Sequence, residues 1–152
     1  MADWPIHQEL DIMTTSLLRS VLIATGLLLS SAVCGSELPG RWTVTVENPD
    51  HLVVATLKVK FTDKQARSCM AGEWKVLKVI SATTRDKDFF PTSEALAYRI
   101  EDKQLTMGRN EICDAYLWLR GPLGGPSVQG DYISFGLGGG TPLGYFNMSP
   151  AK

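Results

Sequence analysis

Histidine is almost absent from this chain of 152 residues, which contains only two, His7 and His51. Catalysis by an activated serine or cysteine needs a neighbouring base, most often histidine, so such a mechanism would depend on one of them. The three cysteines form no C-x-x-C pair, and zinc sites draw on the same scarce residue types. The sequence therefore predicts no enzymatic activity, no metal site and no cofactor.

The charge balance is close to neutral. Charged residues make up 20% of the chain and the formal net charge is −1, which leaves no basic field to hold nucleic acid. The closest sets of carboxylates are Glu101 with Asp102 and Glu111 with Asp114. Neighbouring strand residues point to opposite faces, so we expect these groups to be solvated surface charges. Nucleic acid is therefore excluded as an expected partner.

An apolar stretch at residues 20–36 (SVLIATGLLLSSAVCGS) follows Arg19 and ends in small residues. The order basic, apolar, small is typical of a secretory signal peptide. Because a membrane span needs about 20 predominantly apolar residues, we expect a cleaved signal over residues 1–36 and a single domain over residues 37–152. The alternative is an uncleaved membrane anchor. The expected location of the mature protein is periplasmic or secreted.

Two positions near this stretch leave its processing open. Residues 1–12 carry acidic side chains, which are unusual before the apolar part of a signal, so Met13 is a candidate for the true start. A lipoprotein signal would place Cys34 directly after a small residue, and Val33 precedes it instead, which favours ordinary cleavage. We therefore expect contact with a membrane only if Cys34 is lipidated or the signal stays attached.

Apolar and polar residues alternate through much of the chain after residue 40. The segment RWTVTVE places Trp42, Val44 and Val46 on one face, and HLVVATLKVKF contains the clearest alternating run. About eight such segments follow one another, separated by turn residues and without a convincing amphipathic helix. Regularly spaced short strands are typical of sandwiches and barrels. We therefore predict an all-β fold, a small antiparallel up-and-down barrel of about eight strands.

Two cysteines remain after the predicted signal, Cys69 and Cys113. In an oxidising compartment such a pair is typically a disulfide. It would close a loop of about 45 residues, for which chain entropy gives at most about 4 kcal/mol of stabilisation. A redox or metal pair is the alternative, but neither cysteine has a histidine nearby in the sequence. We therefore predict a structural disulfide.

The tripeptide Gly-Arg-Trp at residues 40–42 resembles the G-x-W that opens lipocalins and avidins, members of the calycin superfamily. In that superfamily the tryptophan closes one end of an eight-stranded barrel, so the resemblance implies a barrel plug at Trp42. Gly-Asp-Tyr at residues 130–132 resembles the second lipocalin element, whereas the arginine of the third has no match near residues 145–152. Small secreted bacterial protease inhibitors of this barrel type also begin with G-x-W. The resemblance thus implies a barrel and leaves carrier and inhibitor open.

Aromatic residues alternate with leucines in the segment DAYLWLRG. If Leu117 and Leu119 face the core, Tyr116 and Trp118 face outward, and the pattern of QGDYISFG places Tyr132 outward as well. An exposed patch of tyrosine and tryptophan on neighbouring strands marks an interaction site. The alternative is the inverted register, in which Tyr116 and Trp118 fill the barrel.

Together these patterns predict an exported, non-enzymatic binding protein of the cell envelope. The favoured hypothesis is a protein partner, bound as by an inhibitor or accessory factor, through Tyr116, Trp118 and Tyr132. The alternative is a lipocalin-like carrier that holds a small apolar ligand inside the barrel beneath Trp42. Whether the barrel is filled or hollow separates the two hypotheses, because a carrier needs an internal cavity.

Overall fold

Eight β-strands and no helix make up residues 38–152, the part of the chain that the computed structural model describes. The predicted signal, including Met13 and Cys34, lies outside the described residues, and its processing remains a prediction. The strands in chain order are β1 (Arg41–Glu47), β2 (Val53–Gln65), β3 (Lys75–Thr84), β4 (Leu96–Glu101), β5 (Gln104–Arg109), β6 (Tyr116–Pro122), β7 (Val128–Gly136) and β8 (Gly139–Pro150).

The strands form a closed barrel in which each strand pairs with its neighbours in the sequence and β8 returns to β1. Every pairing is antiparallel, and the closing pair aligns Trp42 with Pro150 and Glu47 with Tyr145. The predicted all-β, up-and-down barrel is therefore confirmed. Closure matters physically because it leaves few backbone groups without a ladder partner.

The alternation seen in the sequence of β1 is the alternation between the inside and the outside of the barrel. Val44 lies opposite Leu57 on β2 and Met148 on β8, and all three side chains are buried. Thr43 and Thr45, which point the other way, are half-buried on the outer face. Residues with branched side chains at inward positions suit a pleated surface that packs on one side only.

Large apolar side chains from every strand fill the interior. Each such side chain contributes about 1.5–3 kcal/mol when it is moved from water into the core. The buried interior residues are Trp42, Val44, Val46, Ala55, Leu57, Val59, Phe61, Leu77, Leu96, Tyr98, Leu105, Met107, Leu119, Val128, Tyr132, Phe146 and Met148.

Trp42 is buried at the beginning of β1. Its indole Nε1 donates a hydrogen bond to the carbonyl oxygen of Pro39 at 3.2 Å, so the chain before β1 folds across the ring. The ring meets Phe61 edge-on at 6.4 Å between centroids, and Phe61 meets Tyr98 edge-on at 4.8 Å. Trp42 therefore belongs to the core, and its role as a barrel plug stays a prediction from the resemblance.

The barrel wall has its shortest pairing between β3 and β4, where only residues 75–77 are aligned with residues 96–98. The rest of β3, residues 78–84, pairs with β2 alone. The connection from β3 to β4, residues 85–95, turns inward and buries Phe90 in the core. The wall is thus closed at this point by a loop side chain rather than by a full ladder.

Candidate functional site

Tyr132 lies inside the barrel, with 0% of its surface exposed. It is aligned with the inward-facing Leu119, its hydroxyl donates to the carbonyl oxygen of Phe89, and its ring contacts Phe89 and Phe90. Burial raises the pKa of the phenol well above its ordinary value, with a smaller opposing effect from the charge of Arg109. The prediction that Tyr132 faces outward is therefore wrong.

Tyr116 and Trp118 do point away from the barrel interior. The alternating residues Leu117 and Leu119 pack on the core, whereas Tyr116 and Trp118 belong to a separate cluster. They are nevertheless buried, at 4% and 5% exposure. Trp118 stacks on Tyr116 and on Phe135 with centroid distances of 5.3 and 4.8 Å. The inverted register is thus ruled out, and the prediction of an exposed aromatic face is also wrong.

The connection from β2 to β3, residues 66–74, covers these aromatic rings. Trp74 at its end is fully buried and stacks on Trp118 at 6.0 Å. The guanidinium of Arg99 lies 5.0 Å from the centre of the Trp74 ring, a cation–π contact. We call Trp74, Tyr116, Trp118 and Phe135 the outer aromatic cluster. Trp74, Tyr116 and Trp118 are buried and Phe135 is half-buried against them, so the cluster packs on the wall as a small second core.

Three contacts fasten the covering segment to the connection between β5 and β6, residues 110–115. Cys69 forms a disulfide with Cys113, with their Cα atoms 5.4 Å apart, which confirms the predicted bond. The backbone N–H of Cys69 donates to the carbonyl oxygen of Asn110 at 3.1 Å. The buried amide of Asn110 donates to Oγ of Ser68 and accepts from Nε1 of Trp118. No local sequence pattern reveals the hydrogen bond between Asn110 and Ser68, because the two residues lie 42 positions apart along the chain.

The interior of the barrel is filled by the core side chains. A void of about 10 Å³ lies among the core side chains, next to Phe90, Met107 and Leu119. A single water needs about this much space, whereas binding cavities for small molecules measure about 300–1,000 Å³. The site that the carrier hypothesis places beneath Trp42 is therefore occupied by the protein's own side chains.

An unpaired strand edge lies on the outside of the barrel at residues 78–83 of β3, which we call the open edge. No hydrogen bond outside the ladder with β2 reaches its backbone from elsewhere in residues 38–152. Ser81, Ala82 and Thr83 are exposed in succession, so both faces of the strand meet solvent. A groove of about 580 Å³ runs from Val79 to residues 92–95 of the following loop.

A row of cations lies beside the open edge. Arg41 on β1 is aligned with Lys60 on β2, which is aligned with Lys78 on β3, and all three are exposed on the outer face. The three residues, with Val79 and Ile80, line a shallow cleft of about 560 Å³. None of the ion pairs found among residues 38–152 includes any of the three cations. We call Arg41, Lys60 and Lys78 the cation row.

His51, the histidine within the described residues, lies in the turn between β1 and β2. Its Nδ1 is 3.2 Å from Oε2 of Glu47, and its ring stacks on Tyr145 at 4.4 Å. The side chain is largely exposed. Within residues 38–152, no group of three or more histidine, cysteine, aspartate or glutamate residues has the arrangement of a metal site. The contacts of His51 are those of a turn fixed to the neighbouring strand.

Comparison with known proteins returns no match for this chain among protein-family models, curated proteins or solved structures. The closed barrel of eight antiparallel strands is compatible with a calycin-like fold. Among the described residues, no helix has the length and apolar character that crossing a membrane requires. The class that fold and surface define is thus a disulfide-bonded, filled β-barrel with an open strand edge.

Proposed function

We propose that this chain is an exported, non-enzymatic binding protein with a calycin-type barrel, which contacts a protein partner through its outer surface. The filled interior carries this proposal, because side chains occupy the place where a barrel protein holds a small ligand. The apolar segment at residues 20–36 and the Cys69–Cys113 disulfide support export, since disulfides persist in oxidising compartments.

The outer surface offers contacts that the interior does not. Large apolar side chains are exposed at Ile80 on β3 and in three of the connections between strands, at Leu52, Ile112 and Leu137, the last with 91% exposure at the tip of the β7–β8 hairpin. A single exposed apolar residue is ordinary. These residues therefore serve as reporter positions for mapping the contact, and the proposal does not assign them the contact itself.

The test combines two measurements on the protein purified from the cells that naturally make it. The first is extraction with organic solvent followed by mass spectrometry, in which we expect no small apolar molecule in stoichiometric amount. The second is photocrosslinking in those cells, with a photoreactive amino acid placed at Leu52, Ile80, Ile112 or Leu137 in turn. At least one position should yield a discrete protein adduct after irradiation and none without it.

Two results would contradict the proposal. A small apolar compound recovered at one molecule per chain would support the carrier instead. If none of the four positions gives an irradiation-dependent protein adduct, the hypothesis of a protein partner is contradicted. A variant with an enlarged core void, Leu119→Ala, is the matched control for extraction, because it shows that a ligand can be detected when space exists.

A further inference from the structure

We infer that the open edge of β3, residues 78–83, takes an extended acidic segment of a protein partner as an additional β-strand. This inference rests on the proposed function and specifies the place and the chemistry of the contact. In β-strand addition, main-chain hydrogen bonds to an exposed edge supply affinity, while side-chain positions along the edge supply specificity. Strand addition requires free backbone groups along the edge and room for the added strand, and the open edge of β3 meets both requirements.

The first requirement is a run of free backbone groups. A strand that pairs on one side only presents unpaired N–H and C=O groups on the other, at alternate residues. Residues 78–83 pair with β2, and the loop that follows makes its own turns, with Thr92 N–H bonded to Phe90 and Glu94 N–H bonded to Pro91. The loop therefore leaves the open edge without a ladder partner.

The second requirement is room for a neighbouring strand. A paired strand lies about 4.8 Å away in the plane of the sheet. The groove between β3 and residues 92–95 and the cleft over the cation row share one lining residue, Val79. Both depressions therefore border the open edge at Val79, which leaves space beside the edge at that residue.

The cation row indicates the charge of the incoming segment. Like charges on directly opposite residues of neighbouring strands destabilise a sheet. Arg41, Lys60 and Lys78 nevertheless lie side by side, without a carboxylate partner among residues 38–152. A strand added beside β3 would place its outward side chain opposite Lys78, about 4.5–5.5 Å away at Cβ. A glutamate or aspartate at that position would relieve the repulsion.

The same charges argue against a second copy of this chain as the occupant. Two open edges paired with each other would bring two cation rows together, and lysine on an edge strand is a common guard against such self-pairing. The pairing of β3 with β2 also shifts register between Val79 and Ser81, a bulge that further disfavours pairing of identical edges. For an acidic segment from a different protein the charge repulsion is absent, and the bulge lies on one strand of the pair instead of both.

The experiment uses three fluorescein-labelled heptapeptides and fluorescence anisotropy at low salt. The acidic probe is Glu-Val-Glu-Thr-Glu-Val-Glu, the basic probe replaces each Glu by Lys, and the third replaces the central Thr of the acidic probe by Pro, which removes a donor and breaks a strand. We expect the acidic probe to bind the wild-type protein, with affinity at least tenfold above that of the other two. Amide hydrogen exchange should slow at residues 78–83 when it binds.

Charge reversal supplies the second arm. The double variant Lys60→Glu with Lys78→Glu should lose at least tenfold in affinity for the acidic probe and gain affinity for the basic probe. The matched control reverses two cations elsewhere on the barrel, Lys103→Glu with Arg120→Glu, and should leave both affinities unchanged. Thermal unfolding of each variant confirms that it remains folded.

Three results would overturn the inference: no binding of the acidic probe, equal binding of the Pro-containing probe, or unchanged exchange at residues 78–83. The last two would reveal a purely electrostatic contact rather than strand addition. The proposed function is judged separately by photocrosslinking. A protein adduct from Leu52, Ile112 or Leu137 but not from Ile80 would keep a protein partner and place it away from the open edge.

Discussion

Nε1 of Trp118 donates a hydrogen bond to Oδ1 of Asn110 across 2.8 Å, and both side chains are buried outside the barrel wall. The amide nitrogen of Asn110 donates in turn to Oγ of Ser68 at 3.0 Å. One side chain thus connects the wall to the segment at residues 66–74 that covers the outer aromatic cluster. Because a buried polar group needs a partner, this amide couples the position of the cover to that of the indole.

Replacing Asn110 should therefore remove the hydrogen bond to Trp118 and also weaken the attachment of the segment at residues 66–74. Asn110→Ala leaves the indole N–H buried without an acceptor, which costs about 1–3 kcal/mol of unfolding free energy. Urea unfolding followed by tryptophan fluorescence measures the loss. In a Trp118→Phe background, which has no indole N–H, the same change should cost less. An equal cost in both backgrounds would show that the hydrogen bond is not what Asn110 contributes.

A second prediction concerns the outer aromatic cluster. Replacing both Tyr116 and Trp118 by Ser removes two buried rings on which Trp74 and Phe135 pack, so the free energy of unfolding should fall by several kcal/mol, about 3–5 for each large ring. The urea midpoint is the measurement. An unshifted midpoint would show that the rings lie open to solvent and would restore the exposed aromatic face that the structure contradicts.

The alternation of apolar and polar residues predicts the inner and outer faces of most strands. It fails for Tyr132 on β7, which lies inside the barrel, and this failure has a physical cause. Leu117 and Leu119 correctly indicated the inward face of β6. On β7, the inward position 130 is a glycine, which weakens the signal of the inner face, while Ile133 and Phe135 are apolar because they pack on the outer aromatic cluster. Alternation identifies the inner face only when one face of a strand is apolar. β7 packs on apolar residues on both faces, so its alternation does not show which face is inside.

Other features depend on relationships that a linear pattern does not contain. Trp74 and Trp118 are far apart in sequence, and nothing local to either predicts that a loop will lie over β6. The open edge arises because β3 and β4 are aligned over three residue pairs only, which follows from how the strands are staggered around the barrel. The sequence does alternate lysines along β2, but their alignment with Arg41 and Lys78 appears only when register is known.

A third prediction follows from the disulfide that fastens the cover. Cys69→Ser or Cys113→Ser should reduce the free energy of unfolding by about 2–4 kcal/mol, through the added conformational freedom of the unfolded chain. Thiol labelling of untreated wild-type protein should find neither cysteine reactive. Two labelled cysteines in protein purified from an oxidising compartment would contradict the bond.

A fourth prediction tests the close approach of β5 and β6 at Gly108. Gly108 on β5 has a φ of +150°, and a methyl group on its Cα would overlap the carbonyl oxygen of Leu117. Gly108→Ala should therefore destabilise the protein by about 1–3 kcal/mol through strain and crowding. Gly124→Ala is the matched control, since a methyl group there meets open space, and its effect should stay within about 0.5 kcal/mol. Equal midpoints for the two variants would contradict the packing at Gly108.

The last prediction uses the buried phenol of Tyr132, whose pKa is raised by burial. In the unfolded chain a tyrosine ionises near pH 10, so above about that pH the unfolded state binds fewer protons than the native state. The contribution of this phenol to the free energy of unfolding should therefore be complete below about pH 9. It should be lost progressively as pH rises through 10 and beyond. Tyr132→Phe has no proton to lose. It should be less stable than wild type by about 1 kcal/mol at pH 8, through the lost hydrogen bond to Phe89.

Urea unfolding of both proteins at pH 8 and at about pH 11, on either side of the ordinary tyrosine pKa, measures the effect. The wild type should lose more stability than Tyr132→Phe between the two pH values, because titration of all other groups is common to both proteins and cancels in the comparison. The gap between them should therefore narrow or reverse at the higher pH. A gap that stays constant would mean that the phenol ionises equally in the folded and unfolded chains, which would place Tyr132 in contact with water and reopen the interior of the barrel as a site for a ligand.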